Sequence, residues 1–284
     1  KTARERIAEL LDEGSFTEIG RFRGGNMAEG FTGAGVVTGI GTVAGESVAV
    51  YAQDFSIQGG TLGEVEGNKI TALMDKALEL RIPIVAMLDS GGARIQEGVL
   101  ALSQYGRIFK KTCEASGVIP QISVILGPCA GGAVYCPALT DFIVMTRDNS
   151  HMFVTGPDVV RATTGEDVSF ADLGGAEVHN FQSGVAHYLA DDEADALDYT
   201  RTLLTYLPPN CEGAARRWDY EEGPEDAANA ARLSQIVPES SKQPYDMVEV
   251  IRALVDYGEF VQVQEMFAQS ITVGSVSYTH LRAH

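Results

Sequence analysis

The 284 residues, 45% of them apolar, are enough for one large α/β domain with a buried core, which excludes a disordered chain. Glycine reaches 31 residues without a fixed period and proline only 10, so tight backbone turns, and neither collagen nor a low-complexity linker, account for them. The net charge of −18 argues against nucleic acid or an anionic membrane as a main partner, because both are held by basic patches.

In chain order, residues 2–12 place Ile7, Leu10 and Leu11 on one side of a charged helix, with Gly14 positioned to supply a left-handed cap. From residue 36 β-branched residues alternate with glycine, the chain turns at Ala44-Gly45, and the run 47–51 completes a predicted β-hairpin. Residues 63–81 carry Val65, Ile70, Leu73, Met74, Ala77 and Leu78 at helical spacing, and Pro83 introduces a strand over 84–88. A loop at Ser90-Gly91-Gly92-Ala93 leads into a helix over 94–116. The cycle then repeats: a strand over 121–126, a loop over 127–132, a short helix to about Leu139 and a strand over 142–145. Such alternation predicts an α/β fold of parallel strands with crossover helices, in which ligands bind where strand-end loops converge. An acidic helix over 191–207 ends at Pro208-Pro209, residues 210–244 read as a polar connector, and a new unit starts near Tyr245. Its helix over 246–256 and strand over 260–266 leave Met247, Ile251, Phe260 and Met266 without a second sheet to cover them.

The longest apolar runs, 82–88 and 119–126, have strand length, so the sequence reads as soluble. Cys113, Cys129, Cys136 and Cys211 show no metal-ligand spacing and are too few for a disulfide framework, which predicts a cytoplasmic, metal-free chain. Lys1 opens directly into a helical pattern without a leader in front, and the natural N-terminus is expected upstream.

Three glycine loops stand at strand-to-helix junctions. Gly59-Gly60, Gly91-Gly92 and Gly131-Gly132 each leave backbone N–H groups free of side-chain cover; a plain tight turn is the alternative for any one of them. At Gly131 and Gly132 a helix start adds a dipole that favours developing negative charge. Gly127-x-Cys129-x-Gly131 also reads as a nucleophile elbow with cysteine for serine, a cysteine hydrolase that would need a base from His151, His179 or His187 and an acid such as Asp141. A buried, inert Cys129 is the competing reading. No loop matches G-x-x-x-x-G-K-[ST], and Gly33-x-Gly35 precedes a hairpin, so neither nucleotide fingerprint is met.

The segments QDFSIQGGTLGE, DSGGARIQEGV, GPCAGGAVYCPALTDF, FVTGPDVV and IVPESSKQPYDMVEVI, in this order and spacing, resemble the carboxyltransferase (β) subunits of biotin-dependent acyl-CoA carboxylases, propionyl-CoA carboxylase type. The resemblance runs from Lys1 to Gly274. It implies a crotonase-like ββα superhelix with the N-terminal half complete and the C-terminal half truncated: an acyl-CoA domain over 1–236 and the start of a second domain over 237–274. It implies carboxyl transfer from carboxybiotin to the α-carbon of propionyl-CoA or acetyl-CoA through a thioester enolate. An α-C–H is far less acidic than any side chain, so the enolate oxygen needs prearranged donors, each worth roughly 3 kcal/mol. Carried over by position, Gly131 and Gly132 match the oxyanion pair, Gly59 and Gly60 a partner donor loop, and Gly91, Gly92, Ala93 and Arg94 the loop beside the acyl-CoA. Implied partners are a biotin carboxylase and biotin carboxyl carrier subunit that brings the biotin, and further copies of the chain in a homo-hexamer.

Three departures and two alternatives accompany it. Gly33-Ala34-Gly35 replaces a Gly-Asp-Gly turn, no zinc ribbon is present, and residues 275–284, SVSYTHLRAH, match nothing in the family and read as a cloning remnant. The same fold run in reverse would be a methylmalonyl-CoA or glutaconyl-CoA decarboxylase subunit. A non-catalytic assembly subunit, its glycine loops merely packing, is the other alternative.

Overall fold

The computed structural model of the protein describes residues 1–24, 34–216, 218–221, 223–240 and 242–278; Gly33 and the final residues of the tail lie outside these. The chain opens with α1 (Ala3–Leu10), closed by a reciprocal capping box in which Thr2 Oγ1 accepts the Glu5 N–H and the Glu5 carboxylate accepts the Thr2 N–H. Its last residue is followed by Leu11 in extended conformation, so Gly14, at φ +73°, turns the chain beyond the helix and does not cap it as the sequence predicts. Asp12 is the reason. Its carboxylate accepts the N–H groups of Ala44 and Gly45, the Thr42 hydroxyl and an Arg201 N–H, drawing the chain off the helix and onto a hairpin turn.

That turn joins β2 (Val36–Val43) to β3 (Glu46–Gln53), the predicted hairpin, with a short β1 (Thr17–Glu18) paired on the outer side of β2. The expected alternation follows: α2 (Glu64–Leu80), β4 (Ile84–Ser90), α3 (Val99–Ala115), β5 (Gln121–Ala130), α4 (Gly132–Ala138) and β6 (Phe142–Thr146). Next come β7 (His151–Phe153), α5 (Pro157–Thr164), α6 (Phe170–Gly174), β8 (Tyr188–Ala190) and α7 (Glu193–Tyr206). The remainder is α8 (Pro224–Ile236), α9 (Met247–Leu254) and an antiparallel pair, β9 (Phe260–Val263) with β10 (Val273–Val276).

Among the described residues eight strands form one sheet in the order β1-β2-β3-β4-β5-β6-β8, with β7 added beside the far end of β5; from β3 onward every pair is parallel. Both faces are covered, which is why the strands read as continuous apolar runs. Ile84, Ala86 and Leu88 of β4 enter the core under α2, α3 and α4, while Val85 and Met87 enter the opposite core under α1 and α7 with Ile7, Leu10, Leu197 and Leu203.

Four sequence expectations change. The helix over 94–116 begins only at Val99, after a 3-10 turn over Ile95–Glu97 and a kink at Gly98, so Arg94 and Gln96 lie ahead of it. β5 continues past Leu126 to Ala130, turning most of an expected loop into strand. The polar connector contains α8. The second unit gains β10, whose Ser275 and Val276 come from the segment read as a foreign tail. No helix among the described residues is long and apolar enough to cross a membrane.

The hydrogen bonds to Asp12, the Gly45 N–H foremost, hold its carboxyl far below the ordinary range. A depressed carboxyl contributes stability above its unfolded value, near pH 4, and that contribution is lost as pH falls toward the folded value. Thermal unfolding followed from pH 7 to pH 2 is expected to show Asp12→Asn less stable at neutral pH and with a smaller acid-induced fall than the parent.

Candidate active site

Three chain segments meet at the C-terminal ends of β4 and β5, and backbone hydrogen bonds knit them. The Gly91 N–H donates to the Gly59 carbonyl at 3.0 Å, the Leu62 N–H to Gly92 at 2.9 Å, and the Arg94 N–H to Leu62 at 2.9 Å. The third segment closes from β5: a Cβ on Gly92, itself at φ +104°, would stand 2.8 Å from the Ala130 carbonyl oxygen. The sequence placed these loops together, and they are together.

Their donors are not equivalent. The Gly60 N–H is taken by the Ile57 carbonyl, the Gly91 N–H by Gly59, and the Gly92 N–H by the Ser90 hydroxyl at 3.1 Å. The Gly131 N–H donates to the Phe153 carbonyl at 3.2 Å, which corrects the expectation that both glycines of this pair present free donors. Gly131 acts as the hinge instead: at φ 57° and ψ −127° it occupies backbone space that side chains rarely enter, and this turn leads β5 into α4. The Gly132 N–H, at the first position of α4, has no acceptor among the described residues. Ala93 is similar. It bridges Leu62 through its neighbours' groups, so its own N–H faces away from that loop and finds no acceptor among the described residues. With only seven residues, α4 adds little macrodipole, and the aim of individual N–H groups carries what the sequence attributed to the dipole.

Arg94 is a clamp, not a free cation. Its guanidinium meets Glu66 at 2.9 Å, Glu97 at 2.8 Å and the Thr61 carbonyl at 2.9 Å. Glu66 in turn accepts the N–H groups of Gly35 and Gly63, so one buried network ties the Gly59-Gly60 loop to the start of α2. The segments leading out of the site, after Arg94 and within α4, expose Ile95, Val99, Leu100, Leu102, Tyr135 and Leu139.

The cysteine elbow is overturned. Cys129 lies inside β5 with no exposure, and burial pushes its thiol well above the ordinary value, the opposite of an activated nucleophile. None of the three candidate histidines serves it: His179 Nε2 pairs with the Met152 carbonyl, His151 Nδ1 with the Asn149 carbonyl, and His187 Nδ1 accepts the Ile143 N–H. Asp141 accepts the Gln121 N–H at the start of β5, at the end of that strand opposite Cys129. Cys136, likewise buried, is pushed up to about 12.

Sequence reasoning missed Tyr105. Its ring lies under Gly132, where an added Cβ would reach Cδ2 at 2.9 Å, and its buried hydroxyl finds no hydrogen-bond partner among the described groups. Burial drives this phenol far above its usual range, with neighbouring Ser90 only tempering the shift. Its place on the buried face of α3 was legible from helical spacing; its contact with a loop near residue 132 was not.

Parallel strands sandwiched by helices, with N–H donors gathered at the C-terminal ends of the central strands, are shared with carboxyltransferases of the crotonase-like fold, the class to which this chain's structure belongs. The chain belongs to the family of the carboxyl transferase domain, whose model matches residues 1–276. It is 55% identical to the propionyl-CoA carboxylase beta chain of Saccharopolyspora erythraea, over 96% of this chain and 52% of that one. It is 49% identical to the methylmalonyl-CoA decarboxylase subunit alpha of Veillonella parvula, over 95% of this chain and 54% of that one. Among solved structures, transcarboxylase 12S, a hexamer with methylmalonyl-coenzyme A bound, superposes with a TM-score of 0.91 at 42% identity, covering 98% of this chain and 55% of its own. The chain thus spans about half the length of the curated relatives it matches.

Tyr105→Phe removes a buried hydroxyl that makes no well-formed hydrogen bond, with only Ser90 near it, so stability should hold or rise by up to about 1 kcal/mol, a shift of about 2–4 °C for a chain of this size. A differential scanning calorimetry trace of the variant checks it; a marked fall in Tm would reveal a partner for that hydroxyl.

Proposed function

We propose that this chain supplies the acyl-CoA half of a biotin-dependent carboxyltransferase, with residues 1–236 as the acyl-CoA domain and 237–274 as the first elements of a second. One observation carries the reading: in a chain of the carboxyl transferase family, the Gly132 and Ala93 N–H groups stand without acceptors on two strand-end loops in backbone contact. The thioester oxygen of propionyl-CoA or acetyl-CoA accepts from both. When the α-proton leaves, its electron pair moves into the C–C bond and onto that oxygen, where the fixed N–H groups hold the charge without reorganising. As the α-carbon bonds the incoming carboxyl carbon, the charge leaves the oxygen again. Gly131 shapes the turn, Gly60 and Gly92 permit the close approach, Gly59 turns its loop at positive φ and accepts the Gly91 N–H, and Arg94 keeps the loops in register.

Carboxybiotin, brought by a partner subunit, would supply the carboxyl group, and biotin, once its N1–carboxyl bond has broken, the base that takes the α-proton. The exposed apolar residues after Arg94 and on α4 are the face that a further copy covers in a hexamer like that of transcarboxylase 12S. The unpaired state of Cys113, Cys129, Cys136 and Cys211 accords with a cytoplasmic site of action.

The test uses the complete polypeptide with its biotin-carrying partner. Labelled bicarbonate should enter acid-stable product only with ATP and propionyl-CoA or acetyl-CoA, and Gly132→Ala, which keeps its N–H but presses a Cβ against the Tyr105 ring and so moves that donor, should lower kcat by up to about 10²-fold. Cys129→Ala should leave transfer largely intact. An absence of acyl-CoA-dependent labelling in the parent overturns the reading. The Veillonella parvula relative favours one second reading, the reverse direction; label passing from methylmalonyl-CoA to biotin faster than the forward reaction would select it.

A further inference from the structure

The ladder between β4 and β5 contains a register shift just below the site. Leu88 faces Ile125, yet two residues later Ser90 faces Cys129, so Asp89 alone opposes Leu126, Gly127 and Pro128. Extra residues on one strand of a pair leave backbone groups unpaired and change which way the following residues point. Everything after the shift, Cys129-Ala130-Gly131-Gly132, takes its phase from it.

The gap is filled by charge. The Asp89 carboxylate sits where a Cβ on Gly127 would collide with it, which explains glycine at that position. Arg6, reaching across from α1, donates to Asp89 Oδ2 at 2.8 Å and to the Leu126 carbonyl at 3.2 Å, so one guanidinium holds both strands of the irregular pair. Glu193, at the start of α7, fixes the other edge of the guanidinium at 2.6 and 3.3 Å. The Asp89 N–H, on the other side, donates to Gln53 Oε1. Side-chain exposures of 5% for Arg6, 11% for Asp89 and 15% for Glu193 put the triad out of solvent. Desolvating three charges makes such a cluster a poor source of stability, and apolar replacements of equal volume are often as stable. What it supplies is geometry, since a planar fork joins a carboxylate and a carbonyl at fixed spacing.

We propose that Arg6 is a positioning residue for the glycine-amide site: by bridging Asp89 of β4 and the Leu126 carbonyl of β5 it locks the register shift that aims the Gly132 N–H. The inference rests on the function proposed above for the site, and its test has an arm that does not. The variants are Arg6→Lys, which keeps the charge but loses the fork, and Arg6→Met, which removes both. Arg4→Met is the control on the same helix, since Arg4 pairs with Glu18 at the surface. Each is made in the complete polypeptide.

In the first arm, amide hydrogen exchange over residues 127–134 should quicken about tenfold or more in Arg6→Lys, while the β2–β3 hairpin and the Arg4→Met control keep the parent rates. In the second arm, kcat for acyl-CoA carboxylation should fall by about 10- to 100-fold, the cost of misplacing a donor by a fraction of an ångström to an ångström, with KM for the acyl-CoA changed less than about twofold. Arg6→Met should be worse than Arg6→Lys in both arms. Unchanged exchange at 127–134 in Arg6→Lys overturns the brace, and so does a uniform rise across the whole chain with kcat and KM moving together, which marks a merely structural role. A parent enzyme without acyl-CoA carboxylation sinks the function but leaves the exchange arm to decide the brace. If Arg6→Met does not fold, Arg6→Lys alone decides.

Discussion

Backbone against backbone, with no side chain between, is the contact on which the site depends. Three segments can reach the same point at the C-terminal ends of the central strands only by giving up Cβ atoms where they cross: Gly60 against the Asp89 carbonyl and Gly92 against the Ala130 carbonyl. Once that approach is made, hydrogen bonding sorts the N–H groups. Those that meet a neighbouring carbonyl become structure, and those left over, the Gly132 and Ala93 N–H groups among them, are the ones the proposed function gives to a ligand. The site is a remainder of the sheet's own accounting of donors and acceptors.

That origin explains which side chains matter around it. Arg94 and Glu66 hold the first loop to the second, and Arg6 and Asp89 hold the second to the third. Neither arginine presents a free guanidinium edge to a substrate, and both are costly to bury unless every edge of the guanidinium is satisfied. A chain of net charge −18 has carboxylates to spare for this purpose, and it spends them inside the fold on arginines that position backbone.

Much of this was legible in the sequence, for reasons that can be given residue by residue. The 36–43 and 46–53 strands follow from period-2 alternation around a turn dipeptide, and α2 from its apolar stripe. The three glycine pairs announced the meeting of loops because each sits after a strand. The end of β5 was hidden because Gly127-Pro128 is loop chemistry; it stays in the sheet because Asp89 fills the glycine's empty side and β7 supplies a neighbour at Pro128. Which N–H groups are spent could not be read, since the acceptors, Phe153 for Gly131 and Ile57 for Gly60, are fixed only by tertiary placement. Arg6 was invisible in the same way: on a helical wheel it is one charge among several on an amphipathic segment, and its partners stand 83, 120 and 187 residues away.

A site built from main-chain donors shifts where mutation is felt. On the proposed reading no side chain donates to the thioester oxygen, so no single truncation removes a catalytic group, and the sensitivity passes to positions that fix main-chain direction. These are of two kinds. At Gly131 or Gly92 an added Cβ strains a turn directly, whereas at Arg6 or Arg94 the lost group is several bonds removed from any substrate. The second kind is chemically silent in the resting protein, and on the proposed reading its loss is expected to register as orientation, in the rate of the step that needs an aimed donor and not in the affinity for what is bound. On that reading buried charge across the sheet is as much a part of the site as the glycines at its strand ends.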